Sequence, residues 1–269
     1  MSRHQLPTQP ARLIELYAAM VDQKTLDPAQ LDPAQLIALG KTLLNALATL
    51  SAFVPAPHSS RNDYQTRIDA ASVVALLSTL LRVADASLRT QAAAVLCANG
   101  VDFDPTTVLA PALATLFDGQ FLTKSDYECT RLWQHATLFL LHRSEFPPPA
   151  PSDWRQSVAL SCRCVDCAEL QRFANDPTQQ IGRFRINKER RQHLHRQIDQ
   201  QQLDMTHITE RSSSPQTLSC RKTRRAFAWV SAQYQQDLAA LSGLAKIMAG
   251  EFRLVGLQSR ILAALARRA

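Results

Sequence analysis

The sequence predicts a mainly α-helical protein: an N-terminal helical bundle or short α-solenoid, then a small α+β module, then C-terminal helices. Leu and Ala dominate, whereas Gly accounts for only 7 of the 269 residues. Both dominant residues have a low cost in a helix, and Gly is the main helix breaker apart from Pro. Apolar residues recur at helical spacing through most of the chain. Strand-like alternation is confined to short stretches between residues 182 and 222.

The charge is divided unevenly along the chain, which predicts two modules with different partners. Residues 1–150 carry 11 Lys/Arg and 13 Asp/Glu, a balance of −2. Residues 151–269 carry 19 Lys/Arg and 10 Asp/Glu, a balance of +9. The basic part suits an acidic protein surface or a nucleic acid.

An intracellular protein of the cytoplasm or nucleus, with no membrane span, is expected. No stretch of about 18 apolar residues is free of charge. The first residues lack the apolar core of a secretory signal. Six Cys, three of them clustered, do not look like a disulfide framework in a chain of this length. The thiols are therefore expected to be reduced and free to bind metal.

Residues 11–145 are predicted to form a helical scaffold domain. Asp-Pro pairs open helices at Asp32-Pro33 and Asp104-Pro105, because Asp caps the N-terminus and Pro suits the first helical position. Asp27-Pro28 lies in the first copy of a five-residue unit that Asp32-Pro33 repeats. Ser125 is the expected cap of the last helix. The predicted helices cover residues 11–23, 33–53, 63–83, 86–98, 105–117 and 126–142, with a loop at 55–62.

The Pro-rich residues 146–152 are predicted to be a linker between two modules. Pro removes a backbone N–H and disfavours helix in the residue before it, so this segment should be extended and stiff. Residues 153–223 are predicted to form a cysteine-rich basic α+β module, and residues 224–268 to form C-terminal helices that pack on it. The expected elements are a helix at 167–174, a strand at 182–186, a helix capped by Asn187 to 201, strands at 205–210 and 216–222, and helices at 224–248 and after Gly250.

Three thiols within six residues, Cys162, Cys164 and Cys167, predict most of a zinc site. Zinc takes four ligands in a tetrahedron and binds thiolates at about 2.3 Å. The CxxC spacing of Cys164 and Cys167 presents two sulfurs to one ion, and Cys162 can supply a third. With one further protein ligand the site has no open position, so the zinc is expected to be structural rather than catalytic.

The fourth ligand is expected to come from a distance along the chain. The candidates are His193, His195, His207 and Cys220. His193 and His195 point about 200° apart on a helix, so only one of them is expected to ligate. His193 is favoured, with Cys220 and His195 as rivals. The alternatives to a metal are inert clustered thiols and a redox pair at Cys164 and Cys167, although the strand and helix order of thioredoxin-type proteins is missing.

Two basic clusters in the module predict a binding face that could take phosphate groups. Its alternative is a solvated helix face, with the cations balanced by Asp199, Asp204 and Glu210. Aromatic residues for stacking are scarce, so sequence-specific reading of a nucleic acid is not expected. The predicted face consists of Arg183, Arg185, Lys188, Arg190, Arg191, Arg221, Lys222, Arg224 and Arg225.

The sequence shows no catalytic constellation, which leaves an enzymatic role uncertain and favours a non-enzymatic one. There is no GxSxG, no Gly-rich phosphate loop and no HExxH. His135 and His142 lie seven apart among apolar residues and are expected to be core or rim residues.

A series of short motifs runs from Trp154 to Thr223, roughly a quarter of the chain. It resembles the C-terminal cysteine-rich region of large uncharacterised fungal and bacterial proteins, some of which carry a prolyl-4-hydroxylase-like 2-oxoglutarate/Fe(II) oxygenase domain. That domain and its iron ligands are absent here, so the resemblance implies an accessory region and no activity. The matching residues are Cys162, Cys164, Cys167, Leu170, Phe173, Asp176-Pro177-Thr178, Arg183-Phe184, Arg190-Arg191, His193, Thr209-Glu210-Arg211, Ser214-Pro215, Thr217-Leu218 and Lys222-Thr223.

These observations favour a non-enzymatic binding or scaffold protein, in which a structural zinc ion organises the basic module for a protein partner. One alternative, implied by the resemblance, is an accessory fragment or subunit of a 2-oxoglutarate/Fe(II) oxygenase system. Another is a zinc-dependent nucleic-acid-binding module.

Overall fold

The computed structural model describes residues 10–26, 32–50, 68–98, 100–212, 214–250 and 254–267. The chain divides into two units: unit 1 comprises Met1–Phe146 with Gln235–Ala269, and unit 2 comprises Pro147–Tyr234. The division falls at the start of the Pro-rich run, where residues 147–151 adopt neither helix nor strand. The described residues are mainly helical, as the composition predicts. None of the described helices is long and apolar enough to cross a membrane.

The helices of unit 1 that precede the division match the predicted ones closely, except at their ends. A π-helical segment, Pro105–Leu109, forms the start of the helix that was predicted to begin at residue 105. Pro111 has no N–H to donate to the preceding turn, which is consistent with this wider stretch of backbone. The bounds are α1 Pro10–Leu26, α2 Pro33–Leu50, α3 Ala70–Val83, α4 Ala86–Ala98, α5 Ala110–Asp118 and α6 Tyr127–Arg143.

Aspartate side chains begin several of the described helical segments of this unit. The Asp32 carboxylate accepts the N–H of Ala34 at 3.1 Å before α2. That of Asp104 accepts the N–H of Thr106 at 3.0 Å before the π-helical segment. Asp69 accepts the N–H of Ser72 at 2.8 Å and starts α3 at Ala70 rather than at residue 63. The predicted loop at 55–62 and the Asp27-Pro28 pair lie outside the described residues.

The expected cap of α6 is wrong by one residue. Asp126, not Ser125, occupies the N-cap position. Its carboxylate reaches backwards and accepts the N–H of Thr123 at 2.6 Å. The turn before α6 is therefore stabilised by Asp126, while the helix itself begins without a side-chain cap.

The C-terminal helices, α9 (Arg225–Ile247) and α10 (Val255–Ala266), correct the predicted domain division. From Gln235 onwards the chain belongs to unit 1, so residues 224–268 do not pack as a whole on the cysteine-rich module. The indole of Trp133 in α6 donates to the carbonyl of Leu244 at 2.7 Å. The apolar periodicity of α9 predicts a buried side, but it does not indicate which of the two modules packs against that side.

Asp69 gives a pH-dependent test of these caps. The pKa of the Asp69 carboxyl is lowered, first by the N–H that Ser72 donates to it. The charged carboxylate therefore stabilises the fold fully above the ordinary Asp pKa of about 3.9. This stabilisation is lost as the pH falls through the lowered pKa. We expect Asp69→Ala to reduce the free energy of unfolding by about 1 kcal/mol at pH 7. In urea titrations this difference should shrink below about pH 4.

Asp69→Asn is the matched control, because Asn accepts the same N–H without a charge. It should stay within a few tenths of a kcal/mol of the wild type at pH 7. A loss from Asp69→Ala that stays constant down to acidic pH would show that the charge of Asp69 plays no part.

Unit 2 combines a three-stranded antiparallel sheet with two helices, and these elements confirm the predicted ones. The helices are α7 Val165–Asn175 and α8 Lys188–Gln200, and the strands are β1 Ile181–Arg185, β2 Met205–Glu210 and β3 Thr217–Lys222. The strand order is β1-β3-β2, with Phe184 opposite Leu218 and His207 opposite Cys220. One face of the sheet packs on the two helices around a buried core that includes Leu170 of α7.

Candidate metal centre

Four side chains of unit 2 converge on one point, and this group can hold a metal ion. The ligand atoms of Cys162, Cys164, Cys167 and His193 all lie within 4.8 Å of one another. The Nε2 atom of His193 is 3.5 Å from the sulfurs of Cys162 and Cys164 and 3.2 Å from that of Cys167. Tetrahedral zinc with Zn–S of about 2.3 Å and Zn–N of about 2.05 Å places N and S about 3.6 Å apart. The three N–S separations therefore match the corresponding edges of such a tetrahedron within about 0.4 Å.

The local backbone explains why the three thiols meet. Cys164 is the N-cap residue of α7, and its sulfur accepts the N–H of Cys167 at 3.4 Å. An N-cap residue and the third residue of a helix lie on the same side of its first turn. Cys162 belongs to the non-helical segment that leads into this turn. His193 comes from the second turn of α8, so the group links residues 162–167 to α8.

The electrostatic setting of the thiols favours a shared cation. The pKa of Cys164 is lowered, first by the N–H of Cys167. The pKa of Cys167 is raised, first by burial and then by the two neighbouring thiols. Three thiolates this close repel one another unless a cation shares their charge. The positive end of the α7 dipole at this first turn assists in the same sense.

A second link joins the same two helices beside the thiols. The guanidinium of Arg190 holds the carboxylate of Asp166 with two bonds, 2.8 Å from Nε to Oδ2 and 2.5 Å from Nη2 to Oδ1. The donation from Arg190 lowers the pKa of Asp166. Asp166 lies between two of the cysteines and Arg190 lies one turn before His193, so this ion pair fixes α8 relative to α7 at the site.

The rival ligands lie elsewhere in unit 2. Cys220 is fully buried in the core between sheet and helices, where burial raises its pKa to about 12. His195 faces β2: its Nδ1 is 2.5 Å from Nδ1 of His207, and its Nε2 is 3.1 Å from the hydroxyl of Thr209. Neither residue belongs to the converging group.

Two members of the predicted basic face are interior residues, and the prediction is wrong for them. Arg191 is buried and donates to the carbonyls of Ile186 and Gln216 at 2.7 and 3.3 Å. Lys222 is fully buried, donates to the carbonyl of Asp176 at 2.6 Å and lies 4.7 Å from the centre of the Phe173 ring. Both cations satisfy backbone carbonyls inside unit 2.

The other seven predicted cations are exposed, and four elements carry them. Arg183, Arg185 and Arg221 lie on β1 and β3, and Lys188 and Arg190 open α8. Arg224 directly precedes α9 and lies 4.4 Å over the ring of Trp154. Arg225 is the first residue of α9 and lies 3.9 Å from Asp204. Of these cations, only Arg183, Arg185 and Arg221 lie together on one face of the sheet.

Sequence reasoning missed the Asp166–Arg190 pair and the contact network of His195. In that network Nε2 of His207 is 3.0 Å from the carboxylate of Asp199, while Nδ1 contacts His195. The signal for the ion pair is present in the sequence, because Arg190 precedes His193 by three residues and so lies on the same side of α8. The histidine contact joins a helix to a strand, which no local spacing indicates.

No protein-family model, curated protein or solved structure matches this chain.

Proposed function

We propose that this chain is a non-enzymatic binding protein, in which a structural zinc ion organises the basic unit 2 for a protein partner. The observation that carries the proposal is the convergence of three thiols from residues 162–167 with one imidazole from α8. Soft thiolates with one imidazole select zinc over the harder cations Mg²⁺ and Ca²⁺. An intracellular, reducing compartment suits these thiols.

Four protein ligands support a structural rather than a catalytic ion. A catalytic zinc keeps a position for water or substrate, whereas Cys162, Cys164, Cys167 and His193 account for all four positions of a tetrahedron. In this arrangement the ion fastens the segment before α7 to α8. Those pieces also carry the core residues Leu160 and Leu194. A core as small as that of unit 2 commonly depends on such a staple.

Removal of the metal tests the structural role. We expect a strong chelator to abolish amide-exchange protection in α7, α8 and the sheet, because binding free energy of a structural zinc is folding free energy. Protection in α3 and α6 of unit 1 should remain, and these helices serve as the internal control. Addition of zinc should restore the protection of unit 2.

An unchanged exchange pattern in zinc-free protein would contradict the structural role. Loss of protection in both units at once would show general unfolding instead, so the measurement separates the two results. A stoichiometric metal that leaves without any change in protection would point to a site with a role other than folding.

A further inference from the structure

The face of the sheet that points away from α7 and α8 is open to solvent and carries a definite pattern. On β1 every second residue points outwards, and Arg183 has 69% of its side chain exposed. Residues paired directly across antiparallel strands share a face. The registers therefore define the open face as three rows: Ile181, Arg221 and Thr206; Arg183, Ser219 and Ile208; Arg185, Thr217 and Glu210.

The positive charge of the open face is concentrated at the β1 side. Arg183 and Arg185 both lie on β1, two residues apart and so about 6.8 Å from each other along the strand. β2, at the opposite side of the sheet, contributes Thr206, Ile208 and Glu210 to the same face and no cation. Unit 2 as a whole carries 14 Lys/Arg and 8 Asp/Glu. An anionic partner is therefore drawn to β1.

The two β1 arginines are available to a partner. Arg183 contacts Glu210 at 3.8 Å, but this pair is exposed and such pairs contribute less than about 1 kcal/mol. Arg185 donates one N–H to the carbonyl of Ser214 at 3.0 Å. A guanidinium has five N–H donors, so this bond leaves donors for a carboxylate.

The backbone of β1 offers a second kind of recognition. β1 is an edge strand: in the order β1-β3-β2 it pairs with β3 on one side, and no described strand pairs with its other side. Within the part of the chain that the structure describes, the backbone bonds of residues 181–185 run to β3. The outward-pointing N–H and C=O groups of an edge strand are a template for a further strand.

We propose that unit 2 binds an extended acidic segment of a partner protein, which adds as a fourth strand along the outer edge of β1. Side chains alternate along a strand, so carboxylates at every second position of the segment would lie beside Arg183 and Arg185. Backbone hydrogen bonds supply affinity, and the two ion pairs supply selectivity for acidic segments. This inference rests on the proposed function, since it names the partner class of the zinc-organised unit.

The chemistry of the open face favours a protein segment over a nucleic acid. Single-stranded nucleic acids are held by aromatic platforms on which bases stack. The open face has none; its exposed apolar side chains are Ile181 and Ile208, with 44% and 63% of their surface exposed. Aliphatic side chains suit the cross-strand packing of a peptide.

A fluorescence anisotropy titration tests the proposal on the full-length, zinc-loaded protein at low salt. The probe is a fluorescein-labelled peptide of alternating Glu and Val, with an alternating Lys and Val peptide for comparison. We expect the acidic peptide alone to bind, and Arg183→Glu with Arg185→Glu to weaken it by about tenfold or more. The neutral pair Arg183→Gln with Arg185→Gln gives the same readout with a smaller effect if the reversed pair does not fold.

The matched control is Arg172→Glu with Arg196→Glu, which makes the same charge change at exposed positions on α7 and α8. It should leave the affinity within about twofold of the wild type, because these helices cover the opposite face of the sheet. The acidic peptide N-methylated at every residue keeps its charges but cannot donate to β1, and it should no longer bind.

Four results would overturn the proposal. One is an equal loss of peptide affinity in both charge-reversed double variants, because such a loss would reflect only the net charge of unit 2. Another is full affinity of the N-methylated peptide. The third is a labelled single-stranded oligonucleotide that binds more tightly than the peptide and depends on Arg183 and Arg185, which assigns the surface to nucleic acid. Absence of peptide binding in protein that carries zinc rejects this inference and leaves the structural metal site standing.

Discussion

Cys164→Ser is expected to remove the zinc ion and unfold unit 2, although Cys164 is the most exposed of the three clustered thiols. Serine fills the N-cap position at least as well as cysteine, so the start of α7 gains rather than loses local stability. The exposed sulfur also contributes little packing. Any large loss must therefore come from the metal.

The size of this loss follows from the thermodynamics of structural zinc. Apparent binding free energies of about 10–16 kcal/mol exceed the total stability of many small domains, about 5–15 kcal/mol. We expect unit 2 to lose about 5 kcal/mol or more, measured by amide exchange of α7 and α8 with and without added zinc.

Cys220→Ala is the matched control for this variant. Cys220 is a buried thiol of the same unit that lies in the core and outside the converging group. It should keep its zinc and lose only about 1 kcal/mol from the small space left by the sulfur. If Cys220→Ala loses zinc while Cys164→Ser keeps it, the ligand assignment is wrong.

Arg143→Met is expected to destabilise unit 1 strongly. Arg143 of α6 donates two hydrogen bonds to the carboxylate of Asp237, from Nε at 2.7 Å and from Nη2 at 2.6 Å. Its Nη1 also donates to the carboxylate of Asp104 at 3.1 Å. Only 1% of Asp237 is exposed. Methionine removes two hydrogen bonds and a positive charge from this buried carboxylate.

We expect Arg143→Met to lower the free energy of unfolding of unit 1 by about 3 kcal/mol in urea titrations, the lower end of the range for a broken buried pair. The hydroxyl of Thr106, which donates to Asp237 at 2.6 Å, moderates the loss. Arg82→Met makes the same substitution at an exposed pair with Asp22 and should cost less than about 1 kcal/mol. Equal losses in the two variants would contradict the importance of burial.

The helices and strands were predictable because their signals are local. Asp32 and Asn187 lie where their side chains can only cap the following helix, and both do so. The three thiols were predictable for the same reason, since their spacing is short. The opposite directions of His193 and His195 on α8 predicted that only one of them ligates. The fold places Nε2 of His193 beside the three sulfurs, a tertiary contact that the spacing alone does not choose. The resemblance to the cysteine-rich region of oxygenase-bearing proteins stays a prediction.

The errors concern contacts between distant parts of the chain and the direction of long basic side chains. Lys222 follows Leu218 and Cys220 at every second position of β3, so strand alternation places it on the buried face. Arg191 likewise lies three residues before Leu194 on the buried side of α8. Charge alone suggested a surface position for both. The contact of α9 with Trp133 joins residues far apart in the chain, and the periodicity of α9 does not predict which residues it will contact.

The central claim is that Cys162, Cys164, Cys167 and His193 hold one structural zinc ion. Elemental analysis of purified protein tests it most directly, with Cys164→Ser analysed in parallel. We predict about one equivalent of tightly bound zinc per chain in the wild type and almost none in the variant. Less than about half an equivalent in the wild type, or an unchanged content in the variant, would contradict the claim.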